Sequence, residues 1–297
     1  MKANDKQHTM PGFEHQVKQA IDHALAEDLG WGDITTEALI TNEHQSEAYI
    51  VAKAKGIIAG TEVIKQVFLA VDPGLKVDIL LQDGASVEQG YMIAKITGET
   101  ASILRAERVA LNFLQHLSGI ATETARYVQA VKGLPTRITD TRKTMPGLRA
   151  LEKYAVLVGG GQNHRMHLGD SILIKDNHLA SLRSQGLSLK EIIARARQKA
   201  PTGSKIEVEV KTPQEAAEAA GAGADIIMLD NMNLSDTRQA VQLIKGRALV
   251  EASGGITLDK VRAVAETGVD LISVGALTHS SKAMDISLKL GQFPQRA

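Results

Sequence analysis

A chain of 297 residues with 34 basic and 34 acidic side chains, 43% hydrophobic residues and no cysteine is ordinary globular composition and long enough for two domains. The charge balance argues against an extended nucleic-acid surface, the 3% aromatic content against base-stacking platforms, and the missing thiols remove disulfides, cysteine nucleophiles and Cys-ligated metal sites. Residues 1–15 carry no apolar core and no later stretch approaches about eighteen apolar residues, so neither a signal peptide nor a membrane span is expected, and a cytoplasmic protein fits.

Val17, Ile21, Leu25 and Leu29 recur at helical spacing and predict a helix over residues 15–29, stopped by Gly30. Short β-rich pieces at 49–51, 56–60, 76–80 and 91–96, with a helix near 62–70, predict a separate α+β domain. Residues 83–96 have the turn-and-strand texture of a biotinyl or lipoyl carrier but lack the lysine at a hairpin tip. Residues 101–132 predict a long Ala- and Leu-rich helix, interrupted near Ser118 and Gly119, that connects two domains.

Beyond it, apolar runs at 137–139, 172–174, 206–210, 225–229, 248–250 and 271–274 alternate with helical segments, clearest at 212–220, 235–245 and 257–267. Pro213 suits a first helical position and Gly268 a helix end. This alternation predicts an α/β fold with a parallel (β/α) barrel, a doubly wound sheet being the alternative; neither a GxGxxG nor a P-loop fingerprint occurs.

Ligands of parallel α/β proteins bind at the carboxyl ends of strands. There Arg142 and Lys143 form a cationic pair able to grip a carboxylate or phosphate, though a solvated surface pair is equally open. Three glycines at 159–161 precede Gln162, Asn163, His164 and Arg165, and Lys175 follows the second run. His167 and His178 lack metal-ligand spacing and read as ordinary hydrogen-bonded histidines. Alternation puts Glu207 and Glu209 on one strand face: Glu209 is the better active-site acid, and Glu207 is expected to pair with a lysine deeper in the barrel. Asp230 either shares a hydrated Mg²⁺ with Glu209 or caps the next helix. Small residues at Ser253, Gly254 and Gly255 and at Val274, Gly275 and Ala276 follow the last two strands, where barrels hold phosphates on backbone amides. An aldolase with Lys175 as Schiff-base nucleophile would use much of this equipment but needs fewer cations.

Several ordered motifs carry a resemblance. They are Ala26-Glu27-Asp28-Leu29-Gly30 with Gly32-Asp33-Ile34-Thr35-Thr36, Ala106-Glu107-Arg108 with Leu117-Ser118-Gly119-Ile120, Thr141-Arg142-Lys143-Thr144 with Pro146-Gly147-Leu148-Arg149, the run from Gly159 to Arg165, and Lys175-Asp176-Asn177-His178. In these the chain resembles the quinolinate phosphoribosyltransferases, the decarboxylating pentosyltransferases of NAD synthesis, nearly end to end. Met145 and His167 depart from the family pattern.

The resemblance implies an N-terminal α/β sandwich domain over residues 1–115, rejoined by the tail 277–297, and an open, seven-stranded barrel over 116–276. It also implies a homodimer, or a higher oligomer, in which Arg108 completes the neighbouring site. Quinolinate would be held by Arg108, Arg142, His164, Arg165 and Lys175; Lys143, Glu209 and Asp230 would face phosphoribosyl pyrophosphate and its Mg²⁺, with Glu209 and Asp230 as metal ligands. Ser253, Gly254, Gly255, Val274, Gly275 and Ala276 would hold the 5′-phosphate, and Lys175 or Lys143 would protonate the carbon left by decarboxylation. The competing expectations are a phosphoribosyltransferase for nicotinate and a non-catalytic binding relative; neither nucleic acid nor membrane is an expected partner.

Overall fold

The structure, a computed structural model, describes residues 12–41 and 44–291. The chain divides into two units. The first holds the described residues up to Ala125, Thr144–Gly160 and the described residues from Leu277; the second holds Arg126–Lys143 and Gly161–Ala276.

In the first unit the apolar stripe of Val17, Ile21 and Leu25 is buried on α1 (Phe13–Leu29), and Gly30 ends it at φ +45°. After α2 (Ile34–Leu39) come β1 (Gln45–Ala52), β2 (Gly56–Ile57), α3 (Thr61–Val71), β3 (Lys76–Ile79), β4 (Ser86–Val87) and β5 (Met92–Glu99). Residues 58–60, expected as strand, instead lead into α3, because Asp83 takes the orphan amides of its first turn: Gly60 N–H and Thr61 N–H each donate to its carboxylate at 2.9 Å. Asp83, from the segment with carrier-like texture, is thus a helix cap.

The long helix α4 (Thr100–Ala130) runs unbroken through Ser118 and Gly119. Ser118 Oγ accepts from Ala59 N–H at 3.1 Å, and a Cβ at Gly119 would collide with the Lys282 carbonyl oxygen. Those two small residues admit close backbone neighbours; they are not a helix break. The expected 115/116 boundary falls inside this helix. α5 (Arg149–Val158) belongs to the first unit, where Tyr154 donates to Asp83 at 2.7 Å. β12 (Ile286–Leu290) pairs antiparallel with β1, giving a sheet ordered β12-β1-β5-β3.

The second unit contains β6 (Arg137–Thr139), β7 (Ile172–Ile174), α6 (Asp176–Arg183), α7 (Leu189–Lys199), β8 (Ile206–Val210), α8 (Pro213–Gly221), β9 (Ile226–Asp230), α9 (Leu234–Ile244), β10 (Leu249–Ser253), α10 (Val261–Ala265) and β11 (Leu271–Ser273). Its parallel sheet has the order β6-β11-β10-β9-β8-β7, and a parallel bridge between Thr139 and Gln162 adds a seventh position beside β6. Pro213 opens α8 behind a Thr212 cap. The helix expected over 257–267 shortens to α10, because residues 257–260 form a turn in which Lys260 N–H and Val261 N–H both donate to the Thr257 carbonyl. β10 continues past its expected end at residue 250 to Ser253, which brings Glu251 inside the strand.

Candidate active site

Parallel pairing in register aligns Thr139, Ser273, Ser253 and Asp230 across β6, β11, β10 and β9, each as the last residue of its strand. Paired residues of a sheet share a face, so four polar side chains stand in one row at the carboxyl ends. Thr139 Oγ1 and Ser273 Oγ are buried without a hydrogen-bond partner. Glu209, on β8, sits one step below Asp230, paired with Met228.

Glu209 is nearly enclosed. Burial, and then the charge of Asp230, push its carboxyl above the usual range, while Lys175, whose Nζ lies 3.8 Å from Glu209 Oε2, pulls the other way. Asp230 is not the cap of α9: Asn233 fills that position and accepts from Asp236 N–H at 2.9 Å. Asp230 instead accepts from Asn231 Nδ2 at 2.8 Å. Asn231 and Gly254 are locked together, since Asn231 N–H donates to the Ser253 carbonyl and a Cβ at Gly254 would strike the Asn231 side chain. Gly254 and Gly255 both have positive φ, +96° and +60°, which only glycine adopts in succession at little cost. After β11, Val274 N–H is spent on the Thr139 carbonyl at 3.0 Å.

The cationic side is formed by Arg142 and Arg165. Burial, and then the neighbouring Arg142 guanidinium, push Arg165 below its ordinary value. Arg165 Nη1 donates to the Ser171 carbonyl at 3.1 Å, whereas Arg142 Nε is buried with no acceptor. Glu207 and Asp170 offset part of the repulsion between the two guanidiniums, and the unmet buried donor of Arg142 is the group a further anionic acceptor would satisfy. Lys143 and Lys175 are exposed, each with its main-chain N–H turned inward, to Thr141 Oγ1 and His178 Nδ1. His167 Nδ1 likewise accepts from Gly169 N–H, and its Nε2 lies 3.0 Å from Asp170. Met145 is exposed, its N–H donating to Glu152. Arg108 is exposed on α4, in the first unit.

Glu207 pairs with His164, not with a lysine: Nε2 lies 3.1 Å from Glu207 Oε2. The loop after Gln162 brings His164 there, its N–H donating to the fully buried Asp140 at 2.8 Å. Glu251 is the group's third member, and burial followed by the charge of Glu207 pushes it up to about 7. Among the described residues, His164, Glu207 and Glu251 are the three-residue group whose donor atoms lie within 4.8 Å of one another, a set distinct from Glu209 and Asp230. Glu251 and Thr139 are the site residues that sequence reading passed over. The alternation Glu251-Ala252-Ser253 signalled Glu251, and it was hidden by ending that strand at residue 250.

Strand-end acids, a glycine turn and paired arginines define an α/β barrel protein whose strand carboxyl ends are equipped for anionic ligands. The chain belongs to the quinolinate phosphoribosyltransferase family: residues 33–118 match the family's N-terminal domain and residues 120–289 its C-terminal domain. It is 45% identical over 273 residues to a probable nicotinate-nucleotide pyrophosphorylase [carboxylating] of Bacillus subtilis, covering 92% of this chain and 93% of that one. It is 43% identical over 292 residues to the chloroplastic nicotinate-nucleotide pyrophosphorylase [carboxylating] of Arabidopsis thaliana, covering 93% and 83%. The crystal structure of NadC from Streptococcus pyogenes superposes with a TM-score of 0.89 at 43% identity, over 95% of this chain and 98% of that one.

Proposed function

We infer that this chain transfers the phosphoribosyl group of phosphoribosyl pyrophosphate to quinolinate with loss of CO₂, giving nicotinate mononucleotide and pyrophosphate for NAD synthesis. The relatives at 43–45% identity are named for this reaction. The observation that carries the reading to this chain's own residues is the buried, partnerless Nε of Arg142 beside Arg165, a pair suited to a ligand with two carboxylates.

In this reading Arg142, Arg165 and Lys175 fix the dicarboxylate so that its ring nitrogen faces the anomeric carbon of the ribose. His164 contributes through its hold on Arg165. The turn of Ser253, Gly254 and Gly255, together with the turn that follows Val274, holds the 5′-phosphate, with Val274 N–H itself committed to Thr139. Glu209 and Asp230 would hold Mg²⁺: both are oxygen donors, and their mutual repulsion is what a cation offsets. When bound, Mg²⁺ neutralises charge on the departing pyrophosphate. Glu209 stabilises positive charge developing on the ribose, with Lys143 on the pyrophosphate side. After nitrogen quaternises, the 2-carboxylate leaves as CO₂ and its bonding electrons remain on the ring carbon beside the pyridinium. Lys175 or Lys143 then delivers the proton.

The assembly in this reading is a homodimer in which Arg108 of one copy reaches the site of the other. Its support is the exposure of Arg108 and of Trp31, Ile34 and Leu39 in the same unit. No helix among the described residues is long and apolar enough to cross a membrane. A cytoplasmic setting belongs to the same reading, since a chain without cysteine loses nothing to reducing conditions.

Titration calorimetry tests the ligand assignment. Quinolinate should bind at least about tenfold more tightly than nicotinate, because the second carboxylate meets a donor that nicotinate leaves unpaired. Equal affinities would count against the reading.

A further inference from the structure

His164 has no ring nitrogen to spare. Its Nδ1 accepts the main-chain N–H of Arg165 at 2.8 Å. A nitrogen that accepts cannot also carry the proton, so the neutral ring carries it on Nε2. Nε2 faces two carboxylates, Glu207 Oε2 at 3.1 Å and Glu251 Oε2 at 3.6 Å. The same group has the donor spacing of a metal site, but ligation by Nε2 while Nδ1 still accepts would demand an imidazolate. The ring is therefore a proton donor to Glu207, with the Glu251 carboxyl beside the same nitrogen.

Glu251 is fully buried, and neither of its oxygens has a hydrogen bond in ordinary geometry; Glu207, His164, Ser273 and Asp140 are the polar groups that face it. A buried carboxyl in that position costs free energy, which its proton reduces by removing the charge. A cavity of about 320 Å³ is lined in part by His164, Arg165, Glu207 and Glu251. The carboxyl groups beside Nε2 and the amide on Nδ1 are polar groups that orient the ring.

We propose that Glu251 is a positioning residue for quinolinate: together with Glu207 it holds His164 in the Nε2–H form, and that ring fixes the main chain of Arg165 so that its guanidinium meets the substrate. The proposal rests on the phosphoribosyl-transfer reading for its substrate, but its structural core does not. Glu251 acts through His164 and Arg165 and touches no substrate itself. A Gln at 251 keeps the shape and a carbonyl oxygen beside Nε2, whereas an Ala removes that group and loosens the hold on the ring.

The test has two arms. Nitrogen-15 histidine NMR of the whole protein, with the His164 signals assigned by their loss in H164Q, should show protonated Nε2 and unprotonated Nδ1. E251A should shift those signals toward a mixed tautomer, and E251Q should restore them. In kinetics, E251A should raise KM for quinolinate by about tenfold while KM for phosphoribosyl pyrophosphate changes by less than about twofold, with E251Q close to the parent. A wild-type ring protonated on Nδ1, or an E251A enzyme with unchanged quinolinate KM, overturns the proposal, as does an equal rise in both KM values. If E251A does not fold, the wild-type and E251Q spectra still decide it. A protein that turns over no substrate yet shows the Nε2–H ring refutes the functional reading and upholds the positioning of Arg165.

Discussion

Replacing Arg142 with Lys keeps the charge and removes the planar fork, including the buried Nε that has no acceptor within the protein. In the proposed quinolinate complex that donor would meet a carboxylate, and one hydrogen bond to a charged partner is worth about 1.5–3 kcal/mol. At about 1.4 kcal/mol per factor of ten, R142K should raise KM for quinolinate by about 10- to 100-fold. Part of the loss is returned, since a shorter and more hydrated cation beside Arg165 relieves the repulsion that pushes Arg165 down, so the lower half of that range is expected. KM for phosphoribosyl pyrophosphate should stay within about twofold, because the loss is confined to the carboxylate grip. Steady-state pyrophosphate release, with each substrate varied at saturating levels of the other, reads both constants. An unchanged quinolinate KM, or a matching rise for both substrates, would refute the argument that the unmet donor belongs to the dicarboxylate.

Other consequences are equally specific. Gly254→Ala places a side chain at φ +96° against Asn231 and should lower stability by about 1–3 kcal/mol in urea unfolding; a variant as stable as the parent would remove the steric account of this turn. Gly119→Ala sets a helix-propensity gain of about 1 kcal/mol against overpacking of about 1–3 kcal/mol at the Lys282 carbonyl, so a net loss is expected, and a gain in melting temperature would contradict it. Glu251 binds its proton more tightly folded than unfolded, so its contribution to stability is full below its ordinary value of 4.5 and is lost as pH rises through about 7. The stability of the parent relative to E251Q should therefore fall between about pH 5 and about pH 8; a flat difference would mean that Glu207, Asp140 and His164 leave Glu251 unperturbed.

The architecture was legible wherever one residue pattern had one physical cause. Strand and helix alternate after residue 137 as their apolar periods require, and Thr212 with Pro213 announces α8 by a cap and a first-turn proline. Ser118 and Gly119 misled because the same small residues serve a helix break and a close backbone approach, and only the backbone packed there at Lys282 distinguishes them. The cations and acids at strand ends were visible as residue types: Arg142, Arg165, Lys175, Glu209 and Asp230 all lie in the second unit. What sequence could not convey was pairing across strands. Glu207 meets His164 through a loop entering from Gln162, and Thr139 joins Ser273, Ser253 and Asp230 only through the register of four strands. Such contacts depend on sheet order, which periodicity does not encode.

The most direct measurement of the central claim is product analysis from purified protein given quinolinate, phosphoribosyl pyrophosphate and Mg²⁺, with nicotinate as the parallel substrate. Equal molar release of pyrophosphate and CO₂ from quinolinate, with nicotinate mononucleotide as product and little turnover of nicotinate, is the predicted result. Pyrophosphate without CO₂, turnover of nicotinate alone, or no turnover of either would contradict it.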